Sequence, residues 1–286
     1  MVNLHFARIG DVWKHGPLVE VLTRMRPDLY AETHAGSACY QLTPSPERAY
    51  GVYHLLHEAA AAPAVDQSPY LHILRRHTDT HAPVFPGSPA LAMQALGAST
   101  RYLFCDTDPT SIASIQDWAT THAIQGVETV AGDGIEAVRA RLLSPDRTTA
   151  ARTLVFLDPY QPFEVVEDTG ISAVDFLAEL ATSGFPALLW YGFDHASRPA
   201  IQAQLRTVMD AAARGAIWCA EIVPSYLEDP RFPFHSGFVG SGLVGVNLSA
   251  EAVRACTAYG RGLERVYRDA VALDRYDGSL HYQQVA

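Results

Sequence analysis

Hydrophobic and polar positions along the chain alternate between two periods. Val12, Leu18, Val19 and Leu22 fall roughly along one face of a 3.6-residue repeat, which predicts a helix opening at Asp11 as its N-cap. A short apolar run at 29–33 predicts a strand, broken by the small residues of HAGSA. Residues 43–85 read differently. Pro44, Pro46, Pro63, Pro69 and Pro83 interrupt short helical pieces such as AYGVYHLLHEAAAA, which predicts an inserted, mostly helical lobe. Residues 1–42 and 86–286 then make up the main domain.

The alternation resumes at PGSPALAMQAL, where Ser88 can cap a helix and Pro89 can sit at its first position. RYLFCDTDP (strand), TSIASIQDWATTHA (helix), VETVAGDG (strand), IEAVRARLL (helix) and TLVFLDPY (strand) follow. AVDFLAELATSG (helix), PALLWYGF (strand), RPAIQAQLRTVMDAAARG (helix), IWCAEIVP (strand) and GLVGVNLS (last strand) lead to a final helix over about 250–266. Strands alternating with helices demand an α/β fold with a mostly parallel sheet covered on both faces. The last two strands, joined by a loop, are expected as an antiparallel pair at one edge. In such a sheet ligands bind outside the carboxyl ends of the strands.

Composition narrows the classes. The 286 residues are 48% hydrophobic and 18% charged, an ordinary balance for a water-soluble protein. No apolar run approaches the roughly 18–20 residues that span a bilayer. The start, MVNLHFARIGDVWKHG, lacks a cationic stretch followed by an apolar block, so no secretory signal is expected. Cys39, Cys105, Cys219 and Cys256 are scattered without a CxxC, which reads as reduced thiols in a cytoplasm and no zinc site. His54, His57, His72 and His77 lack partners at metal-ligand spacing, and there is no GxSxG for a serine hydrolase. The formal charge of −10 argues against a wide phosphate-gripping surface.

Candidate chemistry lies at the strand ends. The first strand runs into Glu32 and a small-residue turn containing Ala35 and Gly36, through which a ligand can approach the backbone. The next three strands end at Asp106, Asp133 and Asp158. Asp106 can accept from the two hydroxyls of a ribose, or be a solvated loop carboxylate. Asp133 can hold an adenine amino group, or simply make an Asx turn before Gly134. Three carboxylates repel a phosphate-rich ligand and suit a cationic or neutral nucleoside, a description that S-adenosylmethionine fits. Asp158 can accept a hydrogen bond from an amine, with the carbonyl of Pro159 taking its other hydrogen, so that the lone pair faces an electrophilic methyl group. Tyr160 or Phe163 can stack on a planar acceptor.

These blocks resemble the bacterial 23S rRNA adenine-N6 methyltransferases of the large-subunit type. The resemblance covers nearly the whole chain, through GDVWKH (10–15), THAGSACYQL (33–42), FPGSPALA (85–92), CDTDP (105–109), AGDG (131–134), LVFLDPY (154–160), LLWY (188–191) and SGLVGVN (241–247). It implies a class I S-adenosylmethionine-dependent fold, Rossmann-like, with a seven-stranded mostly parallel sheet and a helical insertion. It implies Lys14, His15 and Ser88 at the methionine end of the cofactor, with His34 and Gly36 of the THAG block nearby. Asp106 falls to the ribose, Asp133 and Gly134 to the adenine, and Asp158, Pro159 and Tyr160 to catalysis. The chain departs from the family in three places. Its tetrad Asp-Pro-Pro-Tyr is one proline short here, the ribose acid is Asp106 where glutamate is usual, and the N-terminal segment is shorter.

The leading expectation is therefore a cytoplasmic N-methyltransferase acting on 23S rRNA, with neither membrane nor metal partner. The alternative is a methyltransferase of a small molecule or peptide in a biosynthetic pathway. A third reading is a cofactor-binding protein that has lost its catalytic tetrad.

Overall fold

A computed structural model describes residues 6–143, 150–165, 170–211, 216–232, 237–268, 271–272 and 276–286. The first helix, α1 (Ile9–Met25), starts three residues before the position expected. Arg8 is its N-cap, and Asp11 sits at the third helical position, where its carboxylate accepts the Arg8 backbone N–H at 3.2 Å. Strand β1 (Leu29–Glu32) follows, then β2 (Cys39–Gln41). Residues 43–85 contain α2 (Pro46–Arg48), a π-helical turn (Ala49–Tyr53), α3 (His54–Glu58), α4 (Pro63–Asp66) and α5 (Pro69–Thr78). Strand β3 (Val84–Pro86) returns antiparallel to β2, so the helical segment leaves and re-enters through a two-stranded ribbon.

The alternation expected from the sequence follows. It comprises α6 (Ser88–Leu96), β4 (Arg101–Asp106), α7 (Pro109–Thr121), β5 (Val127–Ala131), α8 (Gly134–Leu142), β6 (Thr153–Leu157), α9 (Ala173–Thr182) and β7 (Ala187–Phe193). Then come α10 (Arg198–Ala211), β8 (Ala216–Pro224), β9 (Gly240–Leu248), α11 (Ala250–Val266), the short pair β10 (Val271–Ala272) and β11 (Tyr276–Asp277), and β12 (Leu280–Gln284).

The main sheet has eight strands in the order β12-β8-β9-β7-β6-β1-β4-β5. The four neighbouring pairs from β7 to β5 are parallel, and β9 runs antiparallel between β7 and β8. Two expectations change here. The sheet has eight strands, not seven, and the pair β8–β9 does not form an edge, because β12 adds antiparallel to β8. A short segment after a long helix carries little periodicity of its own, and LHYQQ gains its pairing from the exposed edge it meets.

The central strands are buried on both faces, with period-2 alternation between two cores. Tyr30, Tyr102, Phe104, Leu154 and Phe156 join the core under α1, α5, α6, α7 and α11. Ala31, Leu103, Cys105, Val155 and Leu157 join the core under α8, α9 and α10. Helix α1 packs tightly on α11, since a Cβ at Gly16 would overlap the Tyr259 ring. Strand order reverses at β1, with β4 and β5 on one side and β6 and β7 on the other. The crevice at the carboxyl ends of β1 and β6 is thus the switch point where ligands bind in doubly wound sheets.

Candidate functional site

Helix α1 crosses this crevice and sets Asp11 and Lys14, three residues apart, on one face. Lys14 Nζ lies 2.6 Å from Asp158 Oδ2, just beyond β6, and 3.0 Å from Asp11 Oδ1. The ammonium also stands 5.4 Å from the Trp190 ring centre on β7. Among the 21 lysines and arginines, Lys14 is the one lysine; the others are arginine. A compact ammonium can sit between two carboxylates where a planar guanidinium would need more room. Burial raises the Asp158 pKa to about 6, with Lys14 opposing the rise and Asp11 adding to it. For Lys14, burial opposes the charge but the two carboxylates prevail and hold the ammonium charged. Asp11 is shifted below the ordinary carboxylate range; burial works against this, and the Lys14 ammonium, helped by the Arg8 backbone N–H, outweighs it.

A third acid, Glu32 at the end of β1, is fully buried. Tyr30 donates to its Oε1 at 2.9 Å, and Oε2 has no hydrogen-bond partner. Burial pushes its pKa up to about 8, despite the lowering influence of the Ser88 and Tyr30 hydroxyls. Ser88 therefore acts otherwise than expected. It is the first residue of α6, Gly87 is the N-cap, and the Ser88 hydroxyl lies near Glu32 instead of closing the helix. His15 stacks on Phe85 (5.7 Å between ring centres) and meets Tyr70 edge-on, with Nδ1 unpartnered. Burial, aided by the Lys14 charge, lowers its pKa to about 3, so its imidazole is neutral.

The other side of the crevice is knit by backbone amides. Gly36, at φ +62°, donates its N–H to Asp106 Oδ2 at 2.7 Å, and Asp108 donates to Oδ1 at 2.8 Å. His34 Nδ1 lies 2.8 Å from the Thr33 hydroxyl; burial lowers its pKa while Asp106 and Asp133 oppose the shift. Asp133 caps α8, accepting the Glu136 N–H at 2.7 Å. Gly134 is needed sterically, because a Cβ there would overlap the Thr33 carbonyl. The capping role of Asp133 and the packing role of Gly134 occupy one oxygen and one face, leaving the second carboxylate oxygen for other partners.

Asp11, Lys14 and Asp158 also line a cavity of about 410 Å³. Its remaining walls include Tyr160, Trp190, Tyr226, Phe232 and Phe238. Tyr160 is 68% exposed and lies 5.5 Å from Phe238, while Phe238 meets Trp190 edge-on at 6.1 Å. Tyr226 packs on Tyr50 at 4.3 Å, so the helical segment buttresses this wall. Arg8 and Glu47 close one side as an ion pair. Phe163, an equal candidate for stacking, lies elsewhere. Its ring meets Tyr191 edge-on at 6.3 Å in the core under α8–α10. Tyr191 and Trp190 are consecutive strand residues and face opposite ways, so Phe163 stands across the sheet from the cavity.

Sequence reading missed Asp11 as a site group, the burial of Glu32, and the aromatic wall of Trp190, Tyr226 and Phe238. Only Trp190 carried a signal, within LLWY at a strand's carboxyl end.

A doubly wound sheet whose switch point holds buried acids and one lysine beside an aromatic cavity belongs to the Rossmann-like nucleotide-binding class. A solved protein of Legionella pneumophila strain Philadelphia 1 shares the fold at TM-score 0.75 and 20% identity, over 99% of this chain and 98% of that one. An N-methyltransferase, NodS of Bradyrhizobium japonicum (TM-score 0.40, 12% identity, 84% and 96% coverage), is too distant to carry an argument. No curated protein sequence matches significantly. The family model described as "Ribosomal RNA large subunit methyltransferase D, RlmJ" matches residues 25–266, and the chain belongs to that family. It is an S-adenosylmethionine-dependent methyltransferase of ribosomal RNA. The matched region begins after Asp11 and Lys14, so the family match leaves their roles to the geometry.

Proposed function

We propose that the chain methylates N6 of an adenine in 23S rRNA, in the cytoplasm, with Asp158 and the Pro159 carbonyl orienting the acceptor amine. The observation that carries this reading is the Lys14–Asp158 pair on the floor of an aromatic cavity. The residues present suit the cofactor. Glu32 Oε2 is buried at the end of β1 with no hydrogen-bond partner, an orphaned acceptor that the ammonium group of the cofactor would satisfy. Lys14, the neutral His15 and Ser88 would hold the methionine end, with His34 and Gly36 framing the turn. Asp106 would take the ribose, and Asp133 with Gly134 the adenine. S-adenosylmethionine, when bound, supplies an electrophilic methyl group.

The chain's own part is alignment. An exocyclic amine is a poor nucleophile because its lone pair is delocalised into the ring. An ionised Asp158 accepting one N–H, and the Pro159 carbonyl the other, localise and aim that pair without removing a proton beforehand. The proton lost after transfer passes to Asp158 or to water, a role that a carboxyl group with a pKa near neutrality can fill. Tyr160, with Phe238 and Trp190, holds a base that has left its stack. Residues 43–85 serve as a lobe behind that wall.

The test uses large-subunit RNA lacking the modification, labelled cofactor and nuclease digestion to nucleosides. Label in N6-methyladenosine supports the reading. Label in another nucleoside, or only in small molecules, overturns it.

A further inference from the structure

Lys14 is shared between two carboxylates of different standing. Asp158 belongs to the strand end that meets the acceptor, whereas Asp11 belongs to α1, as Lys14 does, and is anchored by the Arg8 N–H at 3.2 Å. An ammonium with only Asp158 for company would lock that carboxylate in place, because turning it toward an incoming amine would leave a buried cation unpaired. We infer that Asp11 is a positioning residue that holds Lys14 in its own right, so that Asp158 can exchange its lysine contact for the acceptor amine. This rests on the proposed role of Asp158.

Three features of the geometry support it. The separations, 3.0 Å and 2.6 Å, place the ammonium in hydrogen-bonding reach of both acids at once. Both carboxylates line the same cavity, so an amine arriving at Asp158 comes within range of the shared cation. The two oxygens of Asp11 are divided between tasks: Oδ2 fixes the carboxylate to the helix N-terminus and Oδ1 faces the lysine. That fixed carboxylate keeps Lys14 in register whichever way Asp158 turns. The charged and titratable groups around this trio are few. His15, neutral, and Arg8, paired with Glu47 of α2, lie on or beside α1; Glu32 and Tyr30 approach from β1; Tyr40 and Tyr70 approach from β2 and α5; Tyr160 and Tyr226 line the cavity wall. Glu32, with its pKa pushed up to about 8, also feels Lys14 and Asp158.

Asp11→Asn is the discriminating variant, because its amide oxygen can still accept the Arg8 N–H while the charge is lost. Asp11 raises the Asp158 pKa, so removing the charge lets Lys14 draw Asp158 lower. The acidic limb of kcat should move to lower pH than in the wild type, and kcat at its plateau should fall about 10- to 100-fold. Cofactor affinity should stay within about threefold. A purely structural role for Asp11 would lower thermal stability without moving the limb. A second measurement needs no turnover. Selective isotope labelling of lysine gives one side-chain signal by magnetic resonance, since the chain has one lysine. In the wild type that signal should resist deprotonation well above the ordinary lysine range, and in Asp11→Asn it should titrate lower. An unmoved lysine titration or an unmoved acidic limb overturns the inference. Absence of methyl transfer by the wild type counts instead against the role given to Asp158, and leaves the lysine titration standing as the test of Asp11.

Discussion

The two halves of the crevice are built by different means. On the side of β1, β4 and β5, Asp106 and Asp133 are held by main-chain amides of Gly36, Asp108 and Glu136. On the side of β6, β7 and β9, the groups that meet are side chains of distant segments, among them Arg8, Lys14, Glu47, Asp158, Tyr160, Trp190 and Phe238, joined by ion pairs and ring contacts. Backbone-held acids suit a site whose ligand does not change, which is the part the proposal gives them with the cofactor. A wall of separate side chains can be rebuilt as the acceptor changes, and it is on this side that the chain departs from Asp-Pro-Pro-Tyr, whereas the departure on the other side, Asp106 for glutamate, keeps the carboxylate. The common half and the variable half are thereby separable by mutation.

The largest effect is expected at Asp158. Asp158→Ala should reduce methyl transfer about 10³-fold, within the range typical for a group acting at the reacting atoms. Calorimetry with the cofactor should show affinity within about tenfold of the wild type, because the acid lies on the acceptor side. Equal loss of both would erase the distinction between the halves. Lys14→Met comes next. Lys14 lowers the Asp158 pKa, so without it that pKa rises above about 6 and the carboxyl group is increasingly protonated at neutral pH. Activity in the wild type should fall below pH 6 by about a decade per unit, and in Lys14→Met this decline should begin at higher pH. A limb that stays in place would separate Lys14 from Asp158.

Asp106→Ala tests the opposite half. Loss of a charged hydrogen-bond acceptor should weaken cofactor binding by about 10- to 100-fold, partly through the Gly36 turn it holds. The acceptor's KM, measured at saturating cofactor, should barely change.

The same division explains what was legible in the sequence. Strand–helix alternation, the mostly parallel sheet it implies and the acids at the strand ends could be read because each depends on a few consecutive residues. Strand β12 could not, since LHYQQ pairs only because β8 leaves an edge open. Asp11 looked like a cap, since a carboxylate near a helix start satisfies that pattern whether or not a lysine one turn on also needs it. The wall formed by Trp190, Tyr226 and Phe238 is a product of distant chain segments meeting, and no local spacing announces it. Tyr160 and Phe163 were indistinguishable as aromatics after a strand, because the turn between them decides which face of the sheet each one reaches.

That last pair yields the most selective prediction. Tyr160 lines the cavity, is 68% exposed and approaches Phe238; Phe163 is packed against Tyr191 on the far side of the sheet. Stacking of a base on an aromatic ring contributes about 1–3 kcal/mol, so Tyr160→Ala should raise the acceptor's KM by about 5- to 150-fold with little change in melting temperature. Phe163→Ala should do the reverse, leaving KM near the wild-type value and lowering stability modestly, since it removes a partly buried ring packed against the core. Tyr160→Phe should behave as the wild type if the ring face is what matters, because the hydroxyl plays no part in stacking. Should Phe163→Ala raise KM while Tyr160→Ala leaves it unchanged, the aromatic wall does not receive the base, and the acceptor must approach Asp158 from the other face of the sheet.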